Sequence, residues 1–114
     1  MTPSQVKGTR AESAVVKWLQ EQGRTSAERR ARQGARDRGD IAGIPGVVLE
    51  VKAAGSRLEI PRWLNQTEVE RLNDKADVGL LVVKPKGVGE PRVADWWVIQ
   101  RLEQAYGLLS QAGF

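Results

Sequence analysis

An α/β fold, with one mixed sheet flanked by helices, is predicted by three stretches of this sequence. Residues Val47 to Lys52 read Val-Val-Leu-Glu-Val-Lys, a β-branched apolar run preceded by the turn residues Ile44-Pro45-Gly46, so a hairpin folding back onto Arg38 to Ala42 follows. Residues Val78 to Lys84 form an unbroken apolar run of the kind that is covered on both faces of a sheet. Between them lies a helical stretch, and a helix joining two buried strands implies a crossover connection. The elements, in order, are predicted as α-β-β-β-α-β-β-α in a single domain covering residues 1–114.

The first helix is placed over about Thr9 to Gln22, where Ala11, Val15, Trp18, Leu19 and Gln22 recur at helical spacing and Gly23 supplies a stop. A short strand is placed over Glu28 to Gln33. Pro61 introduces a second helix over about Arg62 to Ala76, with Val69, Leu72 and Ala76 as its apolar stripe. Lys84 to Gly89, KPKGVG, reads as a loop, Ala94 to Val98 as the last strand, and Ile99, Leu102, Tyr106 and Leu109 as the apolar face of a final helix.

Side chains alternate along a strand, so Val48, Glu50 and Lys52 share one face of the hairpin and Val47, Leu49 and Val51 the other. If Pro45 lies at the centre of the turn, Asp40 stands opposite Glu50, and Ile41 joins the greasy face. Directly opposed residues in an antiparallel pair have Cβ atoms about 5 Å apart, and two anions held at that distance repel unless a cation lies between them. A hard divalent ion such as Mg²⁺ suits such a pair, with Mn²⁺ as a substitute.

Composition narrows the chemistry. The 114 residues include no cysteine and no histidine, which excludes disulfides, thiolate metal sites, imidazole bases and serine or cysteine triads. Carboxylates, lysine and a metal are what remain. No segment approaches membrane-spanning length and the first residues lack the apolar core of a secretory signal, so no membrane partner and a cytoplasmic, reducing location are expected. The formal charge of +4 is unevenly placed: residues 1–38 carry nine Lys/Arg against four Asp/Glu, and the remainder nine against ten. Arg24, Arg29, Arg30, Arg32, Arg36 and Arg38 run straight into Asp40. Such a run can be no more than a solvated loop, but guanidinium groups suit phosphates, and a cationic strip abutting an acidic pair is read as a polyanion contact.

GTRAE at Gly8 to Glu12, DRGDIAGIPGVVLEVK at Asp37 to Lys52, PRWLNQ at Pro61 to Gln66, GLLVVKPKG and the later WWVI together resemble the PD-(D/E)XK nuclease superfamily, and within it the phage-type Holliday junction resolvases. The family's proline before the first acid is Gly39 here. The resemblance implies a restriction-endonuclease-like core and a metal-dependent endodeoxyribonuclease that nicks branched DNA as a homodimer. It further implies that Asp40 and Glu50 bind the metal, that Val51 places its carbonyl near it, and that Lys52 contacts the scissile phosphate or the attacking water. Glu12 would complete the metal shell from the first helix. Gln66 would orient the phosphate or the water. Alternatives are a related nuclease acting on a flap, a nick or a specific site, and a DNA-binding module without catalysis.

Several residues keep two readings. Thr9 and Glu12 also fit a capping box, so Glu12 is either ligand or cap. Asp40 beside a glycine could be a turn residue, and Glu50 with Lys52 an ion pair on an exposed strand. Gln66 is equally a polar residue at a helix start. Lys84 and Lys86 flank Pro85 in a loop suited to backbone contacts. Trp63, Trp96 and Trp97 could stack on unpaired bases, but core or interface positions are preferred for Trp96 and Trp97, one pointing each way. Glu68 and Glu70 are assigned to solvated surface.

Overall fold

The computed structural model describes residues 2–31, 39–55 and 57–114. The expected contacts of Arg32, Arg36 and Arg38 lie outside the described residues. The chain runs α1 (Pro3–Glu21), β1 (Glu28–Arg29), β2 (Ile41–Ala42), β3 (Val47–Ala53), α2 (Ile60–Asn73), β4 (Val78–Lys84), a 3-10 turn (Glu90–Asp95), β5 (Trp97–Ile99) and α3 (Leu102–Gln111). Among the described residues, five strands form one open sheet in the order β1-β2-β3-β4-β5. Strands β3 and β4 are parallel, paired over seven residues from Val47↔Val78 to Ala53↔Lys84, with α2 as the crossover between them, and the other pairings are antiparallel.

The sheet separates two cores. Leu49, Val51 and Ile41 pack with Val82 and Trp96 against Ala11 and Val15 of α1, while Leu81 and Val83 pack with Ala54 against Trp63 of α2. This division follows from strand periodicity: the odd-numbered residues of β3 meet α1, and Glu50 between them turns toward Gln66 of α2. Trp96 is buried and Trp97 is half exposed, so the pair points to opposite sides.

Several boundaries differ from the sequence-based expectation, each for a physical reason. Helix α1 begins at Pro3, because Thr2 and Gln5 form a reciprocal capping box with Pro3 in the first turn. Thr9 and Glu12 are therefore interior to α1, and the reading of Glu12 as a cap is wrong. Strand β1 is only Glu28–Arg29, and the described part of its partner β2 is Ile41–Ala42. Helix α2 starts two residues earlier than expected and ends at Asn73, and its apolar stripe was misjudged: Val69 and Leu72 are exposed at 52% and 59%, whereas Trp63, Thr67 and Glu70 face inward. Residues 90–95 form a 3-10 turn, so the last strand begins at Trp97. Helix α3 forms, but Leu102, Tyr106 and Leu109 turn outward.

Candidate functional site

The hairpin geometry begins with glycine. Gly39 has φ +94°, and a Cβ there would lie 2.7 Å from Val48 Cγ1 and 3.0 Å from the Leu49 carbonyl oxygen, so only glycine fits beside β3. Proline, locked near −65°, is excluded from this conformation. The tight approach lets the Asp40 N–H donate to the Leu49 carbonyl at 2.8 Å, and the Ile41↔Leu49 register then sets Asp40 opposite Glu50.

The Asp40 Oδ2 accepts a 2.8 Å hydrogen bond from the Val51 N–H, fixing the carboxylate over the middle of β3. Asp40 is buried, so it is no turn residue at the surface. Glu50, on the central strand of the sheet, is 2% exposed, which removes the reading of an exposed ion pair. Its carboxyl neighbours those of Asp40 and Glu70. Burial first, then hydrogen bonding to these two carboxyls and their negative charge, push the Glu50 pKa up to about 12, so it keeps its proton at neutral pH.

Helix α2 closes the cluster from above. Gln66 Nε2 donates to Glu50 Oε2 at 2.7 Å and to Glu70 Oε1 at 3.0 Å, bridging the two glutamates. Glu70, which the sequence reading assigned to solvent, is 1% exposed. The spacing that could have revealed it is Trp63, Gln66, Thr67, Glu70, an i, i+3, i+4, i+7 face whose polar members answer the buried Glu50 beneath. Glu68 lies at the rim, paired with Arg71 at 2.6 Å and contacted by Gln104 of α3.

Glu12 is on the α1 side of the sheet, 3% exposed, with its Oε1 3.6 Å from Arg29 Nε. It does not join the Asp40–Glu50–Glu70 cluster directly. It lines instead a cleft of about 330 Å³ with Ser4, Lys7, Gly8, Val51, Lys52, Ala53 and Gly55. The cleft opens at the C-terminal end of β3, the end at which parallel strands commonly present ligands. Thus Glu12, Val51 and Lys52 are brought to one opening, and the Val51 N–H ties that opening to Asp40. Lys84 closes the neighbouring strand opposite Ala53 and is half buried, and Lys86 is exposed beyond it.

Of the arginines expected on phosphate, Arg29 is exposed at the rim beside Glu12. Arg30 is engaged otherwise: its Nη1 donates to Asp74 Oδ1 at 3.1 Å, with both side chains largely buried, so it ties β1 to the end of α2.

The donor set fits a hard divalent cation in kind, since the Asp40 and Glu50 carboxyls supply oxygen ligands. Among the described residues, no three acidic side chains are grouped so as to hold a metal ion, and the Gln66 amide lies between Glu50 and Glu70. An open site on two carboxylates is compatible with Mg²⁺, which usually keeps several waters and takes its remaining ligands from substrate phosphate. Among the described residues, no helix is long and apolar enough to cross a membrane. Compared with protein-family models, with curated proteins and with solved structures, the chain matches none.

Proposed function

We propose that the protein is a magnesium-dependent, structure-selective DNA endonuclease of the PD-(D/E)XK kind, with a restriction-endonuclease-like core, that nicks four-way junctions. The observation that carries this reading is the closeness of the Asp40 and Glu50 carboxyls, Asp40 standing just before β2 and opposite Glu50 of β3, with Lys52 two residues further along β3. A surface built only to bind DNA gains nothing from burying a cluster of acidic side chains beside the phosphate it must attract. A bound Mg²⁺ supplies what phosphodiester hydrolysis lacks in this histidine-free chain, namely acidity for water and positive charge for the transition state.

In this reading Asp40 and Glu50 would hold the ion, with the Val51 carbonyl as a further ligand, and Glu12 faces the neighbouring cleft from α1. Lys52 places a fixed cation where negative charge grows on the phosphate. Gln66 holds Glu50 in place from α2, and Lys84, Lys86 and Arg29 contact the backbone around the site. Junction preference is carried by the resemblance to the resolvases, and the homodimer by the two equivalent scissile phosphates of a junction. The outward apolar face of α3 supports the dimer.

Labelled junction, flap and linear duplex, each incubated with Mg²⁺ or with chelator, test the proposal. Junction nicking with Mg²⁺ and silence with chelator are expected, and Asp40→Asn and Glu50→Gln should each abolish cutting while binding is retained. Equal rates on linear duplex would end the junction assignment. Binding without cleavage of any substrate would leave a DNA-binding module.

A further inference from the structure

The cleft at the end of β3 holds a second cation that the endonuclease reading does not use. Lys7, in the second turn of α1, lines it together with Lys52, and Ser4 lies one turn before Lys7 on the same helix face. Neither lysine forms an ion pair among the described residues. Glu12, the one carboxylate lining the cleft among the described residues, has Arg29 beside it. Lys52 is half buried where β3 ends at the opening. Gly8 and Gly55 keep the walls low: a Cβ at Gly55 would meet nothing within 4 Å, and one at Gly8 would make only an ordinary contact with Glu12.

We infer that Lys7 and Ser4 form, with Lys52, a seat for one backbone phosphate of the DNA strand, Lys7 and Lys52 from opposite walls and the Ser4 hydroxyl as a third donor. The inference rests on the endonuclease reading for its ligand. It adds to that reading a binding residue on α1, remote in sequence from the hairpin. Two lysines and a serine lining a cleft of this size suit the singly charged, tetrahedral phosphodiester of a DNA strand.

The test uses metal-free protein and a short single-stranded oligodeoxynucleotide, with binding followed by fluorescence anisotropy at several salt concentrations. Lys7→Gln should weaken binding about tenfold, the worth of one charge-assisted contact, and reduce the salt slope by about one. Lys17→Gln, on the same helix but outside the cleft, should change neither. In the cleavage assay the loss caused by Lys7→Gln should be carried by KM. Unchanged affinity and salt slope in Lys7→Gln would overturn the seat while leaving cleavage by the parent chain intact. Lys7-dependent binding by a protein that cuts no DNA would instead sink the endonuclease reading and keep the seat.

Discussion

At the scale of single residues, Glu50 carries the most consequence. Its carboxyl is enclosed by Asp40, Glu70 and the Gln66 amide, and its pKa stands near 12 against 4.5 for an ordinary glutamate. In the unfolded chain it loses its proton as pH rises past that ordinary value, while the folded chain keeps it. The folded state therefore binds more protons across this window, and stability falls as pH rises. Metal-free protein should melt at a lower temperature at pH 8 than at pH 5.5, and Glu50→Gln should flatten that dependence, as followed by circular dichroism. Parallel pH profiles for the two proteins would mean that Glu50 ionises normally. Glu70 was not legible in the sequence for a related reason. A buried helix face is expected to be apolar, and Val69 and Leu72 offered such a stripe, but the sheet surface beneath α2 carries Glu50 and calls for polar partners. Where the core is polar, the usual patterning rule points to the wrong side of the helix.

The hairpin is the element in which sequence and structure agree best. Alternation across Val47 to Lys52 separated greasy from charged faces, and the observed register sets Asp40 opposite Glu50. Two-residue periodicity leaves little freedom once one face is buried, because a slip of one residue would turn Leu49 and Val51 to the wrong side. The start of α1 was less legible because Gly8 looks like a break, while the Thr2–Gln5 capping box that fixes the helix stands further upstream. The hairpin depends on glycine at two points. Gly39 is pressed against Val48, and at Gly43 a Cβ would lie 1.9 Å from the Ser26 carbonyl oxygen, so β1 could not close. Gly39→Ala should cost about 1–3 kcal/mol through its strained φ alone, and should lower cleavage more than it lowers stability because it shifts Asp40. Urea titration with a parallel cleavage assay would show this, and wild-type cleavage in a destabilised variant would uncouple Gly39 from the acids.

For the whole molecule, the α/β class and the mixed sheet were readable because the apolar run of β4 and the helix before it leave few connections open. The fate of α3 was not. Its apolar spacing looks like that of a core helix, yet Leu102 and Tyr106 are 85% and 67% exposed and Val98 of the adjoining edge strand is 56% exposed. Patterning reports that a face wants burial and is silent on whether the covering surface belongs to the same chain. Under the dimer proposal Leu102→Asp combined with Tyr106→Glu should yield a monomer in light scattering, with the monomer fold kept because neither side chain is buried. An unchanged mass would place the interface elsewhere.

The parallel pairing of β3 with β4 also sets a timetable. Asp40 and Glu50 can meet as soon as a local hairpin closes, but Gln66 and Glu70 reach them only after the crossover helix has docked and residues 78–84 have aligned beside β3. Non-local pairing of this kind is slow to form. During synthesis the acids thus remain unassembled until most of the polypeptide has left the ribosome, so a nascent fragment ending before β4 carries the hairpin but not its finished surroundings.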